Sequence, residues 1–133
     1  MKTINLSGSR KKAVARATIK EGTGIVRINK QPINIIEPEI SRLRLQEPLE
    51  IATDYAKKVN IDIKVAGGGS QSQIEACRLA IAKSIYAFWN KNPQLRIDFL
   101  AYDRHLLVAD TRRNEPHKPN DSKPRAKRQF SKR

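Results

Sequence analysis

Basic residues at the two ends of the chain are the side chains best suited to chemistry, because they could neutralise phosphate groups. Residues 1–30 carry a net charge of +7 and residues 111–133 another +7, whereas residues 31–110 carry ten basic and ten acidic side chains. A protein that only has to stay in solution does not need this arrangement, but one that grips a polyanion does. We therefore expect a partner rich in phosphate, such as RNA or DNA.

The sequence offers little for catalysis or metal binding. His105 and His117 are isolated and lack the spacing of metal ligands. No serine or cysteine has a base partner in a recognisable catalytic motif, and there is no G-x-x-x-x-G-K-[ST] phosphate loop. The single cysteine, Cys77, excludes an intramolecular disulfide and a cysteine-rich zinc site. We expect no enzyme, no metal ion and no cofactor.

The chain is predicted to consist of a folded domain, residues 1–110, and a basic tail, residues 111–133. The tail contains three prolines and one bulky apolar side chain, so it cannot bury enough surface to offset the entropy of ordering its backbone. No apolar run approaches the ~20 residues of a membrane span, and the N-terminus lacks the apolar core of a secretory signal. We expect an intracellular, cytoplasmic protein with a tail that folds on its partner.

Residues 4–30 have the alternation typical of β-structure. In residues 12–20 the side chains divide with a period of two: Ala13, Ala15, Ala17 and Ile19 point one way, and Val14, Arg16, Thr18 and Lys20 point the other. Residues 22–24 predict a tight turn, after which residues 25–29 should return as the partner strand of a hairpin. The basic residues on or beside this hairpin face either solvent or RNA, and the second basic block favours RNA: Arg10, Lys11, Lys12, Arg16 and Arg27.

Residues 37–57 are predicted to be helical in two pieces, because Pro38 and Pro48 each suit the first turn of a helix. The apolar face of the first piece would comprise Ile40, Leu43 and Leu45, and that of the second Leu49, Ile51, Ala52 and Tyr55.

Residues 59–65 give the clearest strand, since four β-branched residues alternate strictly with Asn60, Asp62 and Lys64. Such a strand has one buried face, which helices should cover. A short helix within residues 94–110, with Leu95, Phe99 and Leu100 pointing inward, would contribute to that layer. The predicted fold class is therefore α/β, in an α+β two-layer arrangement.

A glycine turn, Gly67 to Gly69, follows this strand and precedes a helix. Ser72 and Glu75 form a capping-box pattern, so the helix should begin near Gln73. Its buried stripe would comprise Ile74, Cys77, Ile81, Ile85 and Phe88, and its surface Arg78 and Lys83, which face either solvent or RNA. The turn itself has three possible roles: a tight structural connection, a phosphate contact to RNA, or a nucleotide pocket.

The glycine turn and its helix resemble the small-subunit ribosomal protein family called S-nine. The family pattern is met by Gly67, Gly68, Gly69, Ser72, Gln73, Ala76, Ala80, Ile81, Ala82, Lys83, Ser84 and Ile85. The family motif G-x-R-K-x-A-x-A-R is met by residues 8–16, and the closing S-K-R by residues 131–133. The stretch LLVADTRRNEPHKPN resembles the archaeal and eukaryotic branch.

The resemblance implies a fold like domain 2 of ribosomal protein S-five, with a long extended basic C-terminal tail. It implies a position in the head of the small subunit, beside neighbouring head proteins and away from any membrane. Small-subunit rRNA would contact Arg10, Lys11, Lys12, Arg16, Gly67, Gly68, Gly69, Gln73, Lys83, Arg112, Arg113, Lys118, Lys123, Arg125, Lys127 and Arg128. P-site tRNA would contact the last residues, Ser131, Lys132 and Arg133.

Two other classes of function are compatible with the residues alone. A free-standing nucleic-acid chaperone would use the same basic surfaces, but its pool would be spread through the cell instead of sedimenting with ribosomes. A small phosphotransferase would use the glycine turn for a nucleotide, and binding of ATP would distinguish it.

Overall fold

The computed structural model describes residues 2–113 and 116, which form a five-stranded sheet and four α-helices. The strands are β1 (Thr3–Arg10), β2 (Ala13–Glu21), β3 (Val26–Ile28), β4 (Gln31–Pro32) and β5 (Val59–Ala66). The helices are α1 (Glu39–Ile51), α2 (Thr53–Ala56), α3 (Ser70–Phe88) and α4 (Pro93–Tyr102). This architecture confirms the predicted α/β class, and in the described residues no helix is long and apolar enough to cross a membrane.

The strand order across the sheet is β1-β2-β5-β3-β4. β2 pairs antiparallel with both β1 and β5, β3 runs parallel to β5, and β4 runs antiparallel to β3. Parallel neighbours need a long crossover, and here α1 and α2 supply it between β3 and β5. The central strand is thus β5, which the sequence predicted most clearly.

The predicted hairpin between residues 12–20 and 25–29 is wrong, because β5 lies between these two segments. β2 forms its hairpin with β1 instead. The loop after β2 folds over Asn60 at the start of β5, whose side-chain oxygen accepts the amides of Thr23 and Ile25 at 3.0 and 3.1 Å. Gly22 and Gly24 therefore let the loop cross over the first residues of β5, a strand that comes much later in the chain.

One face of the sheet is buried under α3, as the alternation predicted. The inward residues of β2 and β5 are buried: Ala13, Ala15, Ala17, Ile19, Val59, Ile61 and Ile63. The small side chains of β2 let α3 approach, and at Gly8 on β1 the approach leaves no room for a side chain. A Cβ placed on Gly8 would lie 2.8 Å from the carbonyl oxygen of Ala76 and 2.9 Å from the amide nitrogen of Ala80.

The predicted stripe of α3 is largely confirmed, since Cys77, Ile81, Ile85 and Phe88 are buried and Ile74 is half-buried. The predicted capping box is wrong. The helix begins at Ser70 with Gly69 as its N-cap, and no side chain in the described part of the chain caps it. Glu75 forms an ion pair with Arg10 instead, and that long-range contact outweighs the local capping preference.

The first helical region also differs from the prediction. Pro48 lies inside α1, where it is buried, and the break between the two helices comes at Ala52. α1 buries Ser41, Leu45 and Pro48, one turn apart on one side, so the predicted inward residues Ile40 and Leu43 are 65% and 51% exposed.

α4 buries Leu95 and Phe99 as predicted, whereas Leu100 is exposed. The helix begins after Asn92, whose side chain accepts the amide of Gln94 at 2.9 Å. A 3-10 turn (Arg104–Leu106) follows and buries Leu106, which brings the chain back towards α3 and the end of β1.

Candidate nucleic-acid interface

The sheet face opposite α3 is exposed in the described part of the chain and carries basic side chains. Arg16 on β2 lies directly opposite Lys64 on β5, and Lys20 and Arg27 share this face with the acid Asp62. Like charges opposite each other in a sheet repel. A bound polyanion would relieve that repulsion, and we call these five residues the open face.

A second basic surface, which we call the basic hollow, lies at one end of the sheet. It is a surface depression lined by Lys11, Lys12, Gly68, Gly69, Ser72 and Arg113. The β1–β2 turn, the start of α3 and the segment after the 3-10 turn (Arg104–Leu106) all meet there. Five of the six lining residues are ones that the sequence predicted to contact rRNA.

The glycine turn is shaped by close packing against the β1–β2 turn. Gly67 has a φ of +82°, and a Cβ on it would lie 2.5 Å from the carbonyl oxygen of Lys12. Gly68 has a φ of +63°, and its Cβ would lie 3.0 Å from the amide nitrogen of Ala13. These contacts explain why two of the three positions need glycine: the chain makes a tight structural turn there.

Gly69 differs, because a Cβ on it would meet nothing within 4 Å. It is the N-cap of α3, and among residues 2–113 and 116 no side chain satisfies the first amides of that helix. The unpaired amides and the helix dipole favour an anion at such a position. Gln73 fixes the turn from the helix side, since its side-chain amide donates to the carbonyl of Gly67 at 3.1 Å.

Arg10, a predicted rRNA contact, points into an ion-pair cluster within the protein. Its side chain is 12% exposed and contacts the carboxylates of Glu75 at 2.7 Å and Asp110 at 3.6 Å. It also donates to the backbone carbonyl of Arg112 at 3.2 Å. Glu75 is shared with Arg44, at 3.5 Å.

Asp110 joins this cluster to the segment that leads into the tail. The guanidinium of Arg112 donates to both carboxylate oxygens, with a shortest distance of 2.7 Å, and its backbone amide donates to the same carboxylate. These hydrogen bonds hold the pKa of Asp110 well below its ordinary value and raise the pKa of Arg112. Both groups are therefore charged at neutral pH, and Arg112 is partly neutralised.

A second ion-pair cluster connects α1, α3 and the end of α4. The guanidinium of Arg78 contacts Glu47 at 2.6 Å and Asp103 at 3.1 Å. Partial burial acts to raise the pKa of Asp103, but the amide of His105 and the guanidinium of Arg78 together keep it below its usual range. A hydrogen bond to Glu47 raises the pKa of Tyr102. Arg78, whose side chain is 12% exposed, thus points into this cluster.

Lys83 lies away from the basic hollow, on α3 beside the edge of the sheet. Its ammonium group donates to the backbone carbonyl of Ser7 on β1 at 3.0 Å. The remaining predicted contacts, Lys118, Lys123, Arg125, Lys127, Arg128, Ser131, Lys132 and Arg133, lie outside the described residues. Within residues 2–113 and 116, no three His, Cys, Asp or Glu side chains are grouped to hold a metal ion.

The predicted contact residues did not include Lys20 and Lys64, which the structure places on the open face with Arg16. A signal for both was present in the sequence, because strict alternation places Lys64 on the polar side of β5 and Lys20 on the polar side of β2. What was missing was the pairing of β2 with β5, which brings Lys64 opposite Arg16.

A small α/β domain with two exposed basic surfaces is typical of compact nucleic-acid-binding proteins. The chain belongs to the family described as ribosomal protein S9/S16, whose model matches residues 8–133. It is similar to the small ribosomal subunit protein uS9 of two Methanococcus maripaludis strains, C7 and C5, with 48% identity over 98% of both chains. It is 46% identical to uS9 of Methanococcus vannielii over the same shares.

These relationships confirm the predicted family and its archaeal-type branch. The chain is a structural protein of the small ribosomal subunit and not an enzyme. They also remove the need for the phosphotransferase alternative, to which the tight packing of Gly67 and Gly68 gives no support.

Proposed function

We propose that the basic hollow and the open face bind small-subunit rRNA in the head of the subunit, and that the tail reaches P-site tRNA. The observation that carries this proposal is the basic hollow itself. It collects basic side chains from two distant parts of the sequence, Lys11 and Lys12 from one and Arg113 from the other, around the uncapped start of α3. Family membership identifies the partner as ribosomal.

Phosphate contacts made by exposed lysine and arginine give affinity without reading sequence. Lys11, Lys12 and Arg113 are exposed, as are Arg16 and Lys64 on the open face. Five contacts of this kind would lower the logarithm of the affinity by about 4 for each tenfold rise in salt. Binding of rRNA should therefore be steeply salt-dependent.

The tail supports the second half of the proposal through its charge and its position. We assign residues 1–110 to the folded domain and residues 111–133 to the tail, which carries nine basic side chains. At about 3.3 Å per residue, 23 extended residues span at most about 75 Å. The tail begins beside the basic hollow, so its first part would lie on rRNA and its end, Ser131 to Arg133, on tRNA.

The experiment compares two variants of the tail that each lose two positive charges. Small subunits are assembled with Lys132→Gln/Arg133→Gln or with Lys123→Gln/Lys127→Gln, and P-site tRNA binding is measured by filter retention. We expect a loss of tRNA affinity in the first variant and near-normal affinity in the second, because only the first removes the proposed tRNA contacts. Equal tRNA binding by both variants and the unmodified protein would contradict the assignment of the tail end.

A further inference from the structure

We infer that Arg10 is a positioning residue, which fixes the start of the tail so that Arg113 completes the basic hollow, and is not itself a phosphate contact. The inference rests on the proposed function of the basic hollow. Arg10, which the sequence predicted to contact rRNA, thereby takes a different role. Asp110, although it is an acid, contributes indirectly to the binding of a polyanion.

The surroundings of Arg10 leave little of its guanidinium for RNA. The side chain is 12% exposed, and two carboxylates from different parts of the chain, Glu75 and Asp110, lie against it. Lys11 and Lys12, the next residues along the chain, are exposed by contrast. For Arg10 to reach a phosphate, it would have to leave both carboxylates, and a half-buried charge that loses its partner is costly.

The same guanidinium holds the backbone that leads into the tail. It donates to the carbonyl oxygen of Arg112, and Asp110 holds Arg112 by both its backbone amide and its guanidinium. The segment 110–112 is thereby tied to the end of β1 and, through Glu75, to the first part of α3. Arg113, the next residue, lines the basic hollow beside Lys11 and Lys12.

The most direct test is Asp110→Asn. A positioning role and a purely electrostatic role of the cluster around Arg10 predict opposite changes in rRNA affinity for this variant. Removing an acid beside a basic surface should strengthen binding of a polyanion if only charge matters. If the cluster positions Arg113, the loss of its anchor weakens binding, by about 5- to 10-fold at 0.1 M salt for one phosphate contact. The measurement is filter binding of the full chain to small-subunit rRNA, and tighter binding by the variant would overturn the inference.

A double-mutant cycle between Arg10→Gln and Arg113→Gln gives a second readout. The quantity compared is the slope of the logarithm of rRNA affinity against the logarithm of salt concentration. If Arg10 acts by placing Arg113, then Arg113→Gln reduces this slope by about 0.7 to 0.9 when Arg10 is present, and by much less when it is made in the Arg10→Gln variant. Independent phosphate contacts would give additive losses, and additivity would refute the positioning role. Lys11→Gln is the control and should be additive with Arg113→Gln.

Amide exchange in the free protein separates this inference from the proposed function. Arg10→Gln should speed exchange of the Arg112 amide, which donates to Asp110, by more than its effect on the urea midpoint of the domain accounts for, whereas Lys11→Gln should leave both unchanged. Unchanged exchange in Arg10→Gln would overturn the inference even if the native protein binds rRNA as proposed. Native protein that binds rRNA with no salt dependence would instead refute the proposed function.

Discussion

Replacement of Gly67 by alanine tests how closely the glycine turn packs against the β1–β2 turn. The φ of Gly67 is +82°, in the left-handed region, where an L-residue is strained by roughly 1 to 2 kcal/mol. The added Cβ would also lie 2.5 Å from the carbonyl oxygen of Lys12, which is backbone and cannot rotate away. Overpacking of this kind costs about 1 to 3 kcal/mol.

The two effects together predict that Gly67→Ala lowers the free energy of unfolding by about 2 to 5 kcal/mol. This is a large part of the 5 to 15 kcal/mol typical of a domain. The assay is urea denaturation of the full chain, followed by circular dichroism. The matched control is Gly69→Ala, two residues along the same turn, where the added methyl group meets nothing within 4 Å.

Gly69→Ala should cost less than about 1 kcal/mol, since only the helix N-cap changes from glycine to alanine. Equal losses in the two variants would refute the reasoning, because the close contact with Lys12 would then have no energetic effect. A Gly67→Ala variant as stable as the native protein would mean that the β1–β2 turn moves away at little cost.

Two further predictions concern ionisable groups. Burial raises the pKa of Cys77 to about 12, so iodoacetamide at pH 8 should alkylate the native protein far more slowly than the urea-unfolded chain; equal rates would contradict the burial. The pKa of Asp110 is lowered in the folded state by Arg112, so its contribution to stability is present above the ordinary value of about 4 and is lost as the pH falls below it. By urea midpoint, Asp110→Asn should therefore be less stable than the native protein at pH 6, and the difference should shrink as the pH is lowered from about 4 towards 2; a difference independent of pH would contradict this.

The local periodicity of the sequence correctly predicted the strands and helices that bury only one of their faces. The alternation of residues 59–65 predicted β5, and the spacing of Cys77, Ile81 and Ile85 predicted the buried side of α3. These patterns succeed because each element buries one side against a single opposing layer. The same holds for Leu95 and Phe99 in α4.

The predictions that were wrong concern partners distant in sequence. The strand β3 was paired with β2 because the two follow each other in the chain, but β5 takes the place between them. Glu75 was assigned to a local cap, yet Arg10 holds it. A helix N-cap contributes about 1 kcal/mol to stability. The half-buried ion pair between Glu75 and Arg10, with the guanidinium of Arg44 nearby, competes with that contribution.

For the candidate site, the sequence predicted the type of residue better than its role. Charge alone identified Lys11, Lys12 and Arg113, which the structure brings together in the basic hollow. Charge could not distinguish them from Arg10, whose partner Asp110 comes about one hundred residues later. The distinction depends on the acids in contact, and these are visible only once the ends of the folded chain are brought together.

The hydrogen bond from Lys83 to Ser7 has a consequence for the protein before it reaches its partner. β1 is an edge strand, and an unpaired strand edge can recruit a strand from another molecule. The ammonium of Lys83 occupies a backbone carbonyl of that edge and places a positive charge beside it. A second copy approaching this edge would meet that charge, and charged side chains on edge strands are one means by which proteins discourage the addition of a further strand.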